Sequence, residues 1–91
     1  MSVSSVLPSK HVVFTDFDGG EGMLVDLNTK KYYQLNETAM LVWKGLEQGK
    51  TLPEIVALVT SEYEVTTDHA TRSVEKLVGS FQSYKLVTPE S

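Results

Sequence analysis

The stretch Lys31-Tyr32-Tyr33-Gln34-Leu35-Asn36-Glu37-Thr38-Ala39-Met40-Leu41-Val42-Trp43 changes character at its midpoint. Residues 31–35 have strand composition, with Tyr33 and Leu35 on one face and Tyr32 and Gln34 on the other. From Ala39 the period becomes 3.6, because Ala39, Val42, Trp43 and Leu46 recur at i, i+3, i+4 and i+7. Asn36 stands at the join, where an N-cap side chain satisfies a backbone N–H that the first turn leaves without a partner. A strand that turns directly into a helix leaves a sheet on one side of Asn36 and helices on the other. The function is expected at that corner.

Working outward toward the C terminus, Gly49 occupies the place of a helix C-cap glycine. Thr51-Leu52-Pro53-Glu54 is a capping-box pattern with Pro53 in the first turn, and it predicts a second helix with the stripe Leu52, Ile55, Val56, Val59 and Tyr63. Residues 64–67 interrupt that stripe, and Asp68 favours the positive end of a third helix. Its apolar face is Ala70, Val74, Leu77, Val78 and Phe81. Ser73, Lys76, Leu77 and Ser80 fall to one flank of that face and Thr71, Glu75, Val78 and Gln82 to the other, and periodicity does not decide which flank meets the strand. Residues 84–87 close the domain.

Toward the N terminus, Met23, Val25 and Leu27 alternate with Leu24 and Asp26 as a second strand, and Asn28-Thr29-Lys30 supplies the turn to residues 31–35. His11 to Thr15 is β-branched and aromatic enough for a first strand, which the acidic, glycine-rich segment 16–22 ends. Residues 1–10 are Ser-rich and read as a flexible tail, leaving residues 11–88 as a single domain. The order β-β-β-α-α-α defines an α+β, winged-helix-like fold, a three-stranded antiparallel sheet followed by three helices. In a simple meander the third strand lies at an edge.

Composition excludes several function classes. The chain has 91 residues and no cysteine, so no disulfide or thiolate metal site staples it. A net charge of −4, with eight scattered basic residues, argues against nucleic acid as a partner. His11 and His69 stand alone, without the spacing of a metal pair. No apolar run approaches the length that spans a bilayer, and Met1 to Lys10 lacks the charged start and long apolar core of a signal peptide, which predicts a cytoplasmic protein without membrane contact.

Val12-Val13-Phe14-Thr15-Asp16-Phe17-Asp18-Gly19 resembles the first motif of the haloacid-dehalogenase phosphatases, whose paired aspartates act as nucleophile and general acid. Gly20 replaces the hydroxyl residue that usually follows, the alternating βαβ pattern is absent, and 91 residues do not hold that fold. The segment also lacks the fifth-position ligand and closing glutamate of a calcium loop. The hydroxyls of Ser61, Thr66, Thr67, Thr71, Ser73 and Ser80 have no obvious base beside them and suit helix capping or solvent contact, so no catalytic residue, metal or cofactor is expected and the chain reads as a non-enzyme.

From Gly22 onward the chain resembles the PqqD family. The resemblance rests on residues 22–27, Tyr32 to Ala39, Trp43, Thr51-Leu52-Pro53-Glu54-Ile55, Tyr63-Glu64-Val65, and Val74 through Phe81 to Leu86-Val87. It implies a peptide chaperone, a recognition element for ribosomally made and later modified peptides. The family's namesake carries a precursor peptide to a radical enzyme in pyrroloquinoline quinone (PQQ) biosynthesis. The implied partners are a precursor leader and a modifying enzyme of radical SAM type, with the domain itself a monomer or weak dimer. Three positions depart from the family pattern: Lys30 and Lys85 stand where glycine is common, and Ser73 where aspartate is.

An edge strand offers unpaired backbone groups to an extended peptide, and specificity then comes from pockets between that strand and a helix. The peptide-binding residues expected on this reasoning are Lys31, Tyr32, Tyr33, Gln34, Leu35, Ser73, Lys76, Leu77, Ser80 and Phe81. Tyr33, Leu35, Leu77, Val78 and Phe81 serve equally as core residues. Two other readings fit the same elements: a DNA-binding winged helix, and a docking domain that binds no peptide.

Overall fold

The computed structural model describes residues 6–89. In chain order the elements are β1 (Val6–Pro8), β2 (Val12–Asp16), β3 (Gly22–Asp26), β4 (Lys31–Leu35), α1 (Glu37–Glu47), α2 (Leu52–Glu62), α3 (Thr67–Ser83) and β5 (Val87–Pro89). β2, β3 and β4 form the expected antiparallel meander, with β3 in the centre and β4 at an edge. Its register aligns Phe14, Leu24 and Tyr33 across the face that meets the helices.

Each helix begins and ends where its local chemistry dictates. The Asn36 side chain accepts the Ala39 N–H at 2.9 Å and opens α1. α1 closes with Gly49 at φ +76°, where the Gly49 N–H donates to the Leu46 carbonyl and the Lys50 N–H to the Gly45 carbonyl. The capping box of α2 is complete: the Thr51 hydroxyl accepts the Glu54 N–H and the Glu54 carboxylate accepts the Thr51 N–H. Thr66 caps α3 through the His69 N–H. α1 and α2 approach closely at Gly45, where an added Cβ would lie 2.8 Å from Cγ1 of Ile55. That approach explains a glycine inside a helix, where it is otherwise unfavourable.

The core lies between the sheet and the three helices. Trp43, Leu24, Leu46, Ile55, Leu86, Val42 and Val74 are its largest fully buried apolar side chains. Trp43 meets Phe81 edge to face, ring centroids 5.3 Å apart.

One expectation needs correction. Residues 6–10, read as part of a flexible tail, belong to the fold: β1 pairs antiparallel with β5, Val6 opposite Pro89. Ser9 extends this clasp, its N–H donating to the Leu86 carbonyl at 2.9 Å and its hydroxyl to the Lys85 carbonyl at 3.3 Å. Val6 is buried against the core, and this apolar contact offsets the cost of ordering a short polar segment. The first five residues of the expected tail lie outside the described residues.

The alternation expected over residues 23–27 left the inward face of β3 open, and the buried face carries Gly22, Leu24 and Asp26, leaving Met23 and Val25 half-buried on the outer face and Leu27 exposed. Asp26, only 2% exposed, is tolerated there because its Oδ1 accepts the N–H groups of Asn28 and Thr29 while its Oδ2 lies 3.6 Å from His11 Nε2. Burial pushes its pKa up, but the Thr29 and Asn28 N–H groups, together with His11, outweigh burial and hold the carboxyl below its usual value. The carboxylate therefore contributes stability above the unfolded-state pKa that is lost as pH falls through the lower folded-state value.

Lys30 and Lys85, at the two positions where the resemblance leads one to expect glycine, occupy left-handed backbone, at φ +66° and φ +59°. The hairpin and the end of α3 thus keep the geometry glycine favours and hold it with a strained residue.

Candidate functional site

β4 is open along its outer side: among the described residues no strand lies beyond it. Its free backbone groups follow from the ladder. The Leu27 N–H donates to the His11 carbonyl and the Phe17 N–H to the Glu21 carbonyl, so odd-numbered residues of β3 turn their backbone groups toward β2. Even-numbered residues of β3 therefore face β4, where their partners are Lys31, Tyr33 and Leu35. The N–H and C=O groups of Tyr32 and Gln34 point away from the sheet, free to pair.

Beside this edge, α3 walls a cleft of about 220 Å³ lined by Tyr33, Gln34, Leu35, Asn36, Ala39, Leu77, Ser80, Phe81, Tyr84 and Leu86. No lining residue is charged. A second cleft, about 330 Å³, adjoins it at Asn36, Leu77 and Ser80 and adds Thr38, Ser73 and Lys76. The Ser73-Lys76-Leu77-Ser80 flank of α3 therefore faces the sheet edge. The other flank, through Thr71 and Glu75, lines a separate cleft against Leu52, Pro53 and Val56 of α2.

Of the expected peptide-binding residues, Tyr33, Gln34, Leu35, Leu77, Ser80 and Phe81 line the main cleft, and Ser73 and Lys76 the adjoining one. Lys31 and Tyr32 line neither. Lys31 is exposed at the start of β4, and Tyr32, 69% exposed, stands on the outer face of the sheet. Sequence reasoning missed Asn36, Ala39, Tyr84 and Leu86 in the main cleft and Thr38 in the adjoining one. Tyr84 was legible: it follows Leu77 and Phe81 at i+7 and i+3 on one helical stripe, and its ring lies 4.8 Å from that of Tyr33.

The acidic turn after β2 walls a further cleft of about 630 Å³ at the β4–α1 corner, where Gly19, Gly20 and Glu21 face Gln34 to Thr38, and its aspartates form no catalytic pair. Asp16 accepts the Asp18 N–H at 2.9 Å and the Lys44 ammonium at 3.1 Å, and these partners hold its carboxyl below the usual range. Asp18 lies in left-handed backbone at φ +64°. Both aspartates shape a turn. No group of residues able to hold a metal ion occurs among the described residues, nor any helix long and apolar enough to cross a membrane.

The corner caps the helix that carries much of the core, so its first-turn chemistry has a measurable cost. Asn36→Ala is expected to lower stability by about 0.5–2 kcal/mol, read as a shift of the denaturant midpoint at unchanged m value.

The fold and cleft together define a small α+β module with an open strand edge beside an apolar channel, the geometry for holding an extended peptide. Residues 21–87 match the family model of coenzyme PQQ synthesis protein D, and the chain belongs to the PqqD family. Two similar solved structures carry the same fold. One, described as TbiB1 in complex with the TbiA(beta) leader peptide, is 28% identical, with a TM-score of 0.84 over 89% of this chain and 93% of that one. The other, a lasso peptide synthetase B1 complexed with the leader peptide, is 29% identical, with a TM-score of 0.84 over 93% of this chain and 99% of that one. No curated protein matches the chain.

Proposed function

We propose that this chain binds the leader of a ribosomally made precursor peptide as a strand added to β4, and presents it to a modifying enzyme. The carrying observation is the alignment of the free Tyr32 and Gln34 backbone groups with the uncharged cleft beneath α3. Backbone pairing supplies affinity with little sequence demand, and the cleft takes the alternate side chains that face it. Both similar solved proteins are complexed with leader peptides, which supports this reading. The chain acts as a cytoplasmic recognition module, and the catalysis belongs to its partner. The family resemblance points to a radical SAM enzyme as that partner, and the solved relatives point to a lasso peptide synthetase. Leader recognition is common to both, and co-purification with each candidate enzyme in the presence of leader distinguishes them.

The exposed charges of α3 favour peptide over duplex DNA. Arg72 is paired with Asp68 at 3.3 Å, and Glu75 neighbours Lys76, so α3 carries no basic stripe. Calorimetric titration with a leader peptide is expected to give binding that survives moderate salt, because screening acts weakly on backbone ladders and apolar contacts. Duplex binding is expected to be weak. Tight duplex binding that falls by roughly three orders of magnitude between 50 and 200 mM salt, with no response to peptide, overturns the assignment.

A further inference from the structure

The adjoining cleft has a chemical character of its own. Its walls offer the hydroxyls of Thr38, Ser73 and Ser80, the amide of Asn36 and the ammonium of Lys76, and no carboxylate. Among the described residues none of those three hydroxyls makes a hydrogen bond within the protein, and Lys76 has no acidic partner. Lys44 is engaged with Asp16 and Arg72 with Asp68, while Lys10, Lys30, Lys31, Lys50 and Lys85, unpaired like Lys76 among the described residues, line neither cleft. In a chain of net charge −4, an unpaired ammonium among three uncommitted hydroxyls is a local reversal of sign beside the peptide channel.

We propose that this pocket receives a carboxylate side chain of the bound leader, next to the apolar side chain held between Leu35, Leu77 and Phe81. The inference rests on the leader-binding reading and adds to it the class of leader this chain selects. Leu77 and Ser80 border both clefts, so the two subsites are successive helix-facing positions of an added strand, two residues apart. A carboxylate has acceptors only, and the pocket answers with hydroxyl, amide and ammonium donors. A leader lysine or arginine finds no acceptor charge there and meets Lys76. The wider cleft at the β4–α1 corner carries Glu21 and Glu37 on its walls, so an acidic side chain displaced from the Lys76 pocket is repelled there. A one-residue slip of the strand also turns the acid to the opposite face, and charge thus fixes the register of the leader.

The test is selection from a phage-displayed library of random twelve-residue peptides on the full chain, in parallel for wild type, Lys76→Glu and Ser73→Asp. Wild type is expected to enrich Asp or Glu two positions from a large apolar residue. Lys76→Glu is expected to exchange that acid for Lys or Arg at the same spacing, and Ser73→Asp to erase the acidic preference. For one selected peptide made synthetically, replacing the acid by glutamine is expected to weaken binding to wild type about two- to fivefold, and replacing it by lysine more. The order should reverse on Lys76→Glu. Selection of apolar strand-forming peptides with no acidic preference, or the same acidic preference from wild type and Lys76→Glu, overturns the pocket assignment and leaves leader binding standing. Failure of every variant to select any peptide, with unchanged thermal melts, overturns both.

Discussion

Gln34→Pro is expected to weaken leader binding by about ten- to a hundredfold while leaving the domain folded. The Gln34 N–H faces the open edge, so proline there removes no bond of the β3–β4 ladder. Tyr33 before it is already extended, the conformation a following proline requires. The loss falls on the added strand, whose carbonyl opposite position 34 is left without its donor and meets the pyrrolidine ring. Gln34→Ala keeps the N–H and is expected to bind nearly as wild type, which separates backbone pairing from side-chain recognition. Equal affinities for the alanine and proline variants, measured by calorimetry, would mean that the peptide does not pair with β4.

Phe81→Ala is expected to cost about 3–5 kcal/mol of stability, the largest single effect considered for this chain. Phe81 is 4% exposed, packs edge to face on Trp43, and lines the floor of the main cleft. Removing it opens a cavity beneath the Trp43 ring and deletes the floor on which a leader side chain would rest. A domain of 91 residues has a stability of about 5–14 kcal/mol, so the variant is left marginal. Phe81→Leu retains most of the buried volume and should lose far less, with leader affinity following the depth of the cleft. If chemical denaturation finds the alanine variant as stable as wild type, Phe81 belongs to the groove alone and not to the core.

Much of this architecture was legible because local signals and tertiary packing agree. The change of period at Asn36, the capping box at Thr51 and the glycine at position 49 each specify a boundary through chemistry within a few residues. The misread parts depend on contacts distant in sequence. β1 exists because Val87 and Pro89 come to lie beside Val6 and Pro8, and a Ser-rich start carries no sign of that pairing. The alternation in β3 did not say which face turns inward, because an aspartate normally marks the solvent side. Asp26 breaks that rule through acceptor bonds from the hairpin turn that follows it. The choice between the two flanks of α3 was invisible for another reason: both are half polar, and only the position of β4 decides which one lines the channel.

The clasp between β1 and β5 has an architectural consequence. Because Val6 pairs with Pro89, the chain enters and leaves the domain at neighbouring points. A larger protein can therefore host this module as an insertion through a single two-stranded neck, without cutting the meander or the channel. The same adjacency suits circular permutation: a short linker across the clasp would join the old termini, and the exposed turn at Gln48 and Gly49 offers new ones.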